Sequence, residues 1–386
     1  MTSPFIPYGK QSINQADIDA VVSVLTSDFL TQGPQVPLFE QAISNYCNVN
    51  HGIATNSATS ALHIACLALG VEKGDWVWTS PISFVASANC ALYCGASIDF
   101  VDVSSSTGLI SIESLKHKLE KAKEEGNLPK VIIPVHLCGH ICNMIALKEL
   151  AQEYSFKIVE DASHAIGAQY QQQPVGNCMY SDITVFSFHP VKIITAGEGG
   201  MAMCNDEILA NEMRLYRSHG ITKNPEYMQN SSAPDWYYEQ ITLGFNYRMT
   251  DIHAALGLSQ LNNIDSFIKK RHQLVTRYHE KLTDIDGISL VTPTYQCYSA
   301  YHLFSVLLTD EEQRMRVFTS MREKNIGVNV HYIPITSQPY FQQLGINSNE
   351  FPNANNFYQR VLTLPLHPTL SIDHQDFVIK ALLDSL

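Results

Sequence analysis

Positive charge is scarce in this chain: 25 Lys and Arg stand against 37 Asp and Glu, a formal net charge of -12. A surface that follows a phosphate backbone needs the opposite balance, so nucleic acid is not an expected partner. Long apolar runs are missing too, because Gly, Ser, Asp or His interrupts each one short of the roughly 18–20 residues of a membrane span. The opening MTSPFIPYGKQSINQAD lacks a basic stretch followed by an apolar core, so the cytoplasm is the expected compartment and no membrane the expected partner. Charged residues make up only 16% of the chain and hydrophobic ones 45%, which excludes disorder for most of it and supplies a large core. Nine cysteines, an odd number spread mostly through apolar segments, read as reduced small hydrophobes, and 386 residues need no disulfide scaffold.

At roughly 100–200 residues per domain, the length suggests two or three domains, or one large α/β domain with a smaller appendage. From about residue 50 to 205, short β-branched runs alternate with segments of helical spacing, the pattern of a mainly parallel sheet with crossover helices. Strands are expected at 51–55, 76–80, 97–101, 131–135, 157–160 and 183–187, with 200–204 as an antiparallel addition. Helices are expected at 58–69, 84–93, 112–123, 144–154 and 207–217, and Gln15–Leu25 reads as an amphipathic helix ahead of this core. The polar stretch 218–247 is too long for a passive connection and suggests a flap or a subunit-contact loop. After it, 251–282 reads as one long helix leading into a small domain: strand 301–308, helix 311–324, strand 327–332 and two terminal helices. The expected division is 1–250 and 251–386.

Three segments fall in turns after the carboxyl ends of strands, where an open parallel sheet places function. In NSATSALHIA, the amides of Ala58, Thr59 and Ser60 open a helix and suit a phosphate, although Asn56 or Ser57 could equally serve as an ordinary cap. KIVEDASHAIGA delivers Glu160 and Asp161 to a strand end, where an acid could bind a metal, act as a base, hold a protonated ring nitrogen or simply cap a turn. His164 follows, and by itself reads as a core histidine. VFSFHPVKIITAGEGG sets Lys192 between Val191, Ile193 and Ile194, where desolvation frees an amine for Schiff-base chemistry; the alternative is a surface lysine whose stem crosses apolar neighbours. Together the three suit pyridoxal phosphate: a helix start for the phosphate, a lysine for the aldehyde, an acid for the pyridine nitrogen, with Phe84 placed to stack on the ring. HLCGHIC offers His136, Cys138, His140 and Cys142, but no second Cys/His pair with suitable spacing appears, so no metal is expected.

In this order, DFLTQGPQVPLFE, NSATSALH, SPISFVASANCAL, VEDASHAIGA, VFSFHPVK, GEGGMAM, RSHGI and FNYRMTDIHAALGLSQL resemble the DegT/DnrJ/EryC1/StrS family of sugar aminotransferases, over nearly the whole chain. The resemblance implies the fold-type I architecture of pyridoxal-phosphate enzymes: an α/β chain with a mainly parallel sheet, helices on both faces and a smaller C-terminal α+β domain. It implies that Lys192 condenses with the cofactor and moves the proton, that Asp161 pairs with the pyridine nitrogen, and that His164 lies near the phenolic oxygen. Ala58, Thr59 and Ser187 would hold the phosphate and Phe84 would stack on the ring. Asn246 would reach the phosphate of a neighbouring subunit in a homodimer. Substrate contacts are implied at Tyr8, at the turn Asp28, Phe29, Leu30, Thr31, at His331 and Tyr332, and also at Ala58, Ser187 and Asn246. SDFLTQGP, SPISFVA and SDITVFSFHPVK look most like the branch that aminates C4 of a UDP-linked 4-keto-6-deoxy-N-acetyl-hexosamine on the way to pseudaminic acid, with L-glutamate as donor. Aminotransferases making perosamine or 3-amino sugars are the close alternative. A sugar dehydratase of the same fold would carry His in place of Lys192, and a non-catalytic regulator would lack Lys192 or Asp161. The chain departs from many relatives at Ile193, where Asn is common, and in the segment 224–238.

Overall fold

The apolar runs VII and ITVFS carry no polar alternation because both faces of the sheet they enter are covered, and every residue in them is buried. The computed structural model describes residues 5–230, 234–293 and 297–386. Its large sheet contains His51–Thr55 (β1), Trp76–Thr79 (β2), Ser97–Phe100 (β3), Val131–Ile133 (β4), Lys157–Asp161 (β5), Ile183–Ser187 (β6) and Gly200–Cys204 (β7). Their order across the sheet is β1-β7-β6-β5-β4-β2-β3. Strands β6, β5, β4, β2 and β3 pair in parallel, and β7 runs against both β1 and β6. The reversed strand therefore enters the sheet at the edge where its neighbours leave it, with Gly200 opposite both Thr55 and Ser187.

The helices Ala58–Ala68, Ala86–Tyr93, Ile112–Glu125, Met144–Tyr154 and Glu207–Arg217 connect or follow these strands, within two residues of the expected ends. One further helix, Gln35–Cys47, has no place in the sequence reading. It opens on Pro34 without a side-chain cap of its own; instead the buried Asp251 carboxylate accepts from the amides of Gly33, Gln35 and Val36.

Three expectations for the second half need correction. The stretch 251–282 is two helices, Asp251–Leu261 and Ile264–Leu282: the Asn262 and Asn263 amides turn back to Ser259 and Gln260, tightening the chain at the joint. The stretch 327–332 is not a strand; it makes a single bridge, Asn329 to Thr363, and its side chains Asn329, His331 and Tyr332 face a cavity. Three α-helices rather than two follow it, Pro339–Gln343, Pro352–Arg360 and Ile372–Leu383, with strand Val361–Leu364 among them.

Two apolar cores result. The larger fills both faces of the seven-stranded sheet and extends to Phe341 and Phe357. The smaller gathers Tyr278, Phe304, Val317, Leu364 and Leu382, and it includes Ile6, whose amide and carbonyl pair with Asn325 and Gly327. Arg271, fully buried on the Ile264–Leu282 helix, donates to the carbonyls of Tyr301, His302 and Leu366 and so ties that helix to both chain segments. Among the described residues no helix is long and apolar enough to cross a membrane, and all nine cysteines are free.

Candidate active site

A cavity of about 520 Å³ lies where β1, β5 and β6 end and β7 begins, closed on the far side by 329–332. Ser57 caps the helix after β1: its hydroxyl accepts from the Ser60 amide at 3.1 Å. Of the three amides expected for a phosphate, Ser60's is thus taken. Those of Ala58 and Thr59 meet no acceptor among the described residues, and both residues line the cavity. Ser187, from the end of β6, borders the same space.

Gly200 makes this cradle possible. A Cβ built on it would stand 2.4 Å from the Ala58 nitrogen and 2.5 Å from the Ser57 carbonyl carbon, both backbone atoms of the helix start. Overpacking against atoms that cannot turn aside costs about 1–3 kcal/mol. Gly200→Ala is therefore expected to weaken pyridoxal phosphate binding by roughly 10–100-fold, measured by titrating cofactor-free protein. Unchanged affinity would detach the helix start from phosphate binding.

Asp161, at the end of β5, is buried. Its Oδ2 accepts from Ser87 Oγ at 2.6 Å and its Oδ1 from the Ser163 amide at 3.1 Å. Lys192 sits in the turn after β6, its amide bonded to the His189 carbonyl. The residue as a whole is half-buried because it opens onto the cavity, but burial of its amine still pulls the pKa down to about 8, against the opposing pull of the Asp161 carboxylate.

His164 is buried, and its Nδ1 accepts from the Cys138 amide at 3.3 Å. Burial, together with the nearby charge of Lys192, holds the ring well below the usual histidine range. A neutral ring accepting at Nδ1 carries its proton at Nε2, which faces the Tyr332 hydroxyl at 3.3 Å. His331 bonds Thr363 Oγ1 at 2.9 Å, and burial, aided by Lys192, lowers its pKa to about 3. The HLCGHIC loop supports this wall: His136 pairs with Glu160 at 2.7 Å, and its Nδ1 takes the Cys142 amide.

Lys192, Asp161, Ala58, Thr59, Phe84, His164, Ser187, Tyr8, His331 and Tyr332 thus share one cavity. Asn246 and the turn Asp28, Phe29, Leu30, Thr31 do not: they are exposed and line no part of it. Sequence reasoning missed Ser83, Asn329, and Ser87 behind Asp161. The signal available was the pair of serines four positions apart after β2, Ser83 in the turn and Ser87 in the first turn of the helix that follows, whose hydroxyls meet at 2.7 Å. The groups present fit pyridoxal phosphate: two open amides for its phosphate, a buried amine for its aldehyde, a buried carboxylate for its ring nitrogen, and Phe84 exposed toward the cavity for its face.

Residues 11–383 match the family described as the DegT/DnrJ/EryC1/StrS aminotransferases. The chain is 38% identical over 388 residues to the spore coat polysaccharide biosynthesis protein SpsC of Bacillus subtilis, covering 98% of this chain and 97% of that one. It is 36% identical over 383 residues to the UDP-4-amino-4,6-dideoxy-N-acetyl-beta-L-altrosamine transaminase of Campylobacter jejuni, covering 99% and 97%. In three dimensions it is similar to PseC of Helicobacter pylori, an aminotransferase of pseudaminic acid biosynthesis, with TM-score 0.90, 30% identity and 99% of each chain covered. It is also similar to the PLP form of the sugar aminotransferase Spr1654 of Streptococcus pneumoniae, with TM-score 0.89, 29% identity and coverage of 99% and 98%.

Proposed function

Since the chain belongs to the DegT/DnrJ/EryC1/StrS aminotransferase family and is a pyridoxal-phosphate-dependent sugar aminotransferase, we propose that it carries the amino group of L-glutamate to C4 of a UDP-linked 4-keto-6-deoxy-N-acetyl-hexosamine. The product would be UDP-4-amino-4,6-dideoxy-N-acetyl-beta-L-altrosamine, on the route to pseudaminic acid. The convergence of Lys192, Asp161 and the Ala58 and Thr59 amides on one cavity carries this reading. The Campylobacter transaminase, matched over nearly its whole length, supports the choice of sugar.

When bound, pyridoxal phosphate supplies an aldehyde that condenses with amines and a ring that takes up the electron pair left on the substrate carbon. Ala58, Thr59 and Ser187 hold the phosphate, and Phe84 covers one face of the ring. Asp161 holds the proton on the ring nitrogen. Lys192 Nζ removes the proton from the donor's carbon and, in the second half of a ping-pong cycle, returns one to C4 of the sugar. Tyr8, His331 and Tyr332 border the part of the cavity left for the substrate. Asn246 and residues 28–31 are exposed and lie outside this cavity; in this reading they complete that of a second copy.

An amine must be neutral to attack an aldehyde, and burial lowers the Lys192 pKa to about 8 from the ordinary 10.5. The neutral fraction therefore grows as pH rises through 8. The rate at which cofactor-free protein captures pyridoxal phosphate, followed by the growth of its visible band, should climb through that pH and level off above it. A rate still climbing toward pH 10 would place the amine in water.

Another nucleotide-linked keto sugar is the second reading, favoured by the 38% identity to SpsC. The test is product analysis: purified enzyme, 15N-labelled L-glutamate and UDP-4-keto-6-deoxy-L-AltNAc, with NMR of the sugar. Label on C4 supports the reading, and an unchanged sugar overturns it.

A further inference from the structure

Ser87 is completely buried, and no part of the scheme above uses it. Its hydroxyl has one proton and three neighbours: Asp161 Oδ2 at 2.6 Å, Ser83 Oγ at 2.7 Å and the Phe84 carbonyl at 3.3 Å. A hydroxyl in a helix commonly turns back to a preceding carbonyl. Here that acceptor is neutral and distant, whereas a carboxylate at 2.6 Å is the stronger partner. The proton therefore goes to Asp161, and Ser83, with its own proton available, must donate to Ser87.

The result is a directed chain, Ser83 to Ser87 to Asp161. Its far end meets a carboxylate whose other oxygen takes the Ser163 amide at 3.1 Å. One donor comes from the helix Ala86–Tyr93 and the other from the turn after β5, so the carboxylate is held at both oxygens. Ser83 and Phe84 both line the cavity, so the same turn of chain that presents Phe84 to it also fixes the acid.

We propose that Ser87 is a positioning residue of the transamination, its hydroxyl, oriented by Ser83, holding the Asp161 carboxylate toward the ring nitrogen of the cofactor. The inference rests on the role given to Asp161 above. Without that hydroxyl, Asp161 keeps its Ser163 contact but gains a rotation, so the ring nitrogen is held less firmly.

The test uses the holoenzyme and the variants Ser87→Ala, Ser87→Thr and Ser83→Ala. Two quantities are read: the rate of cofactor loss on dilution into a scavenger, and the rate and half-saturation of the glutamate half-reaction, followed by the bound cofactor's absorption. Ser87→Ala should lose cofactor about tenfold faster and react about tenfold more slowly at saturating glutamate, with half-saturation unchanged. Ser87→Thr, which restores the hydroxyl, should return both rates to within about twofold. Ser83→Ala should cost about threefold, since Ser87 loses only the donor that orients it. A thermal midpoint within a few degrees of the parent's throughout separates positioning from collapse of the helix. Wild-type rates in Ser87→Ala, a Ser87→Thr variant as impaired as Ser87→Ala, or a Ser83→Ala variant slower than either would overturn the proposal. If instead the parent holds no cofactor, or Asp161→Ala is as fast as the parent, the fault lies in the role of Asp161 itself.

Discussion

Replacing Lys192 with alanine is expected to abolish turnover in a protein that stays folded and still binds the amine form of the cofactor. Proton transfer by a positioned side chain contributes about 10²–10⁴ in rate, and this amine is used in both half-reactions. Each half-reaction, followed in a single turnover, should therefore slow by about 10⁴ or more. The fold should tolerate the change, because burial works against the charged amine, and removing it removes that cost. The unfolding midpoint is expected to hold or rise. A variant with parental turnover would take Lys192 out of the reaction; one that fails to fold would contradict the account of its burial.

Changing Asp161 to alanine or asparagine carries the second largest effect. Alanine leaves the ring nitrogen without an acidic partner, and losing an electrostatic contact of this kind costs about 10²–10³ in rate. Asparagine keeps the shape but not the charge, and it also meets the wrong partners. Both oxygens of Asp161 face donors, the Ser87 hydroxyl and the Ser163 amide, so one donor would confront an NH₂ group. Asp161→Asn should therefore be slowed about as much as Asp161→Ala, by about 10²–10³ in the glutamate half-reaction. An asparagine variant near the parental rate would show that charge at this position is not used.

Much of the fold could be read from the chain because its signals are local. The period of apolar residues marks β1 to β7 and the helices between them, and the order of the motifs points to the family. What escaped depends on distant contacts. The helix Gln35–Cys47 carries Pro37 in its first turn and no cap of its own; its N-terminus is satisfied by Asp251, more than two hundred residues away. The break at Asn262 and Asn263 is a bend in an otherwise continuous helical pattern, with residues of the larger core, Ala254 and Ile264, on either side of it. Residues 327–332 look like a strand by composition, but Asn329, His331 and Tyr332 turn to the cavity and the stretch makes one bridge of pairing.

The site divides in the same way. Lys192, Asp161 and the helix start were legible because each lies in a short motif at a strand end, where backbone geometry dictates position. Ser87 was not, because its meaning lies in a hydrogen bond to a residue 74 positions away. Asn246 and residues 28–31 came from resemblance alone, and one chain leaves them at its surface.

The most direct test of the central claim is an absorbance titration of the purified holoenzyme. L-glutamate is added, the excess removed, and UDP-4-keto-6-deoxy-L-AltNAc then supplied while the visible cofactor band is followed. The account predicts that the band disappears with glutamate and returns with the sugar. A band that glutamate leaves unchanged, or that stays lost when the sugar is added, would contradict it.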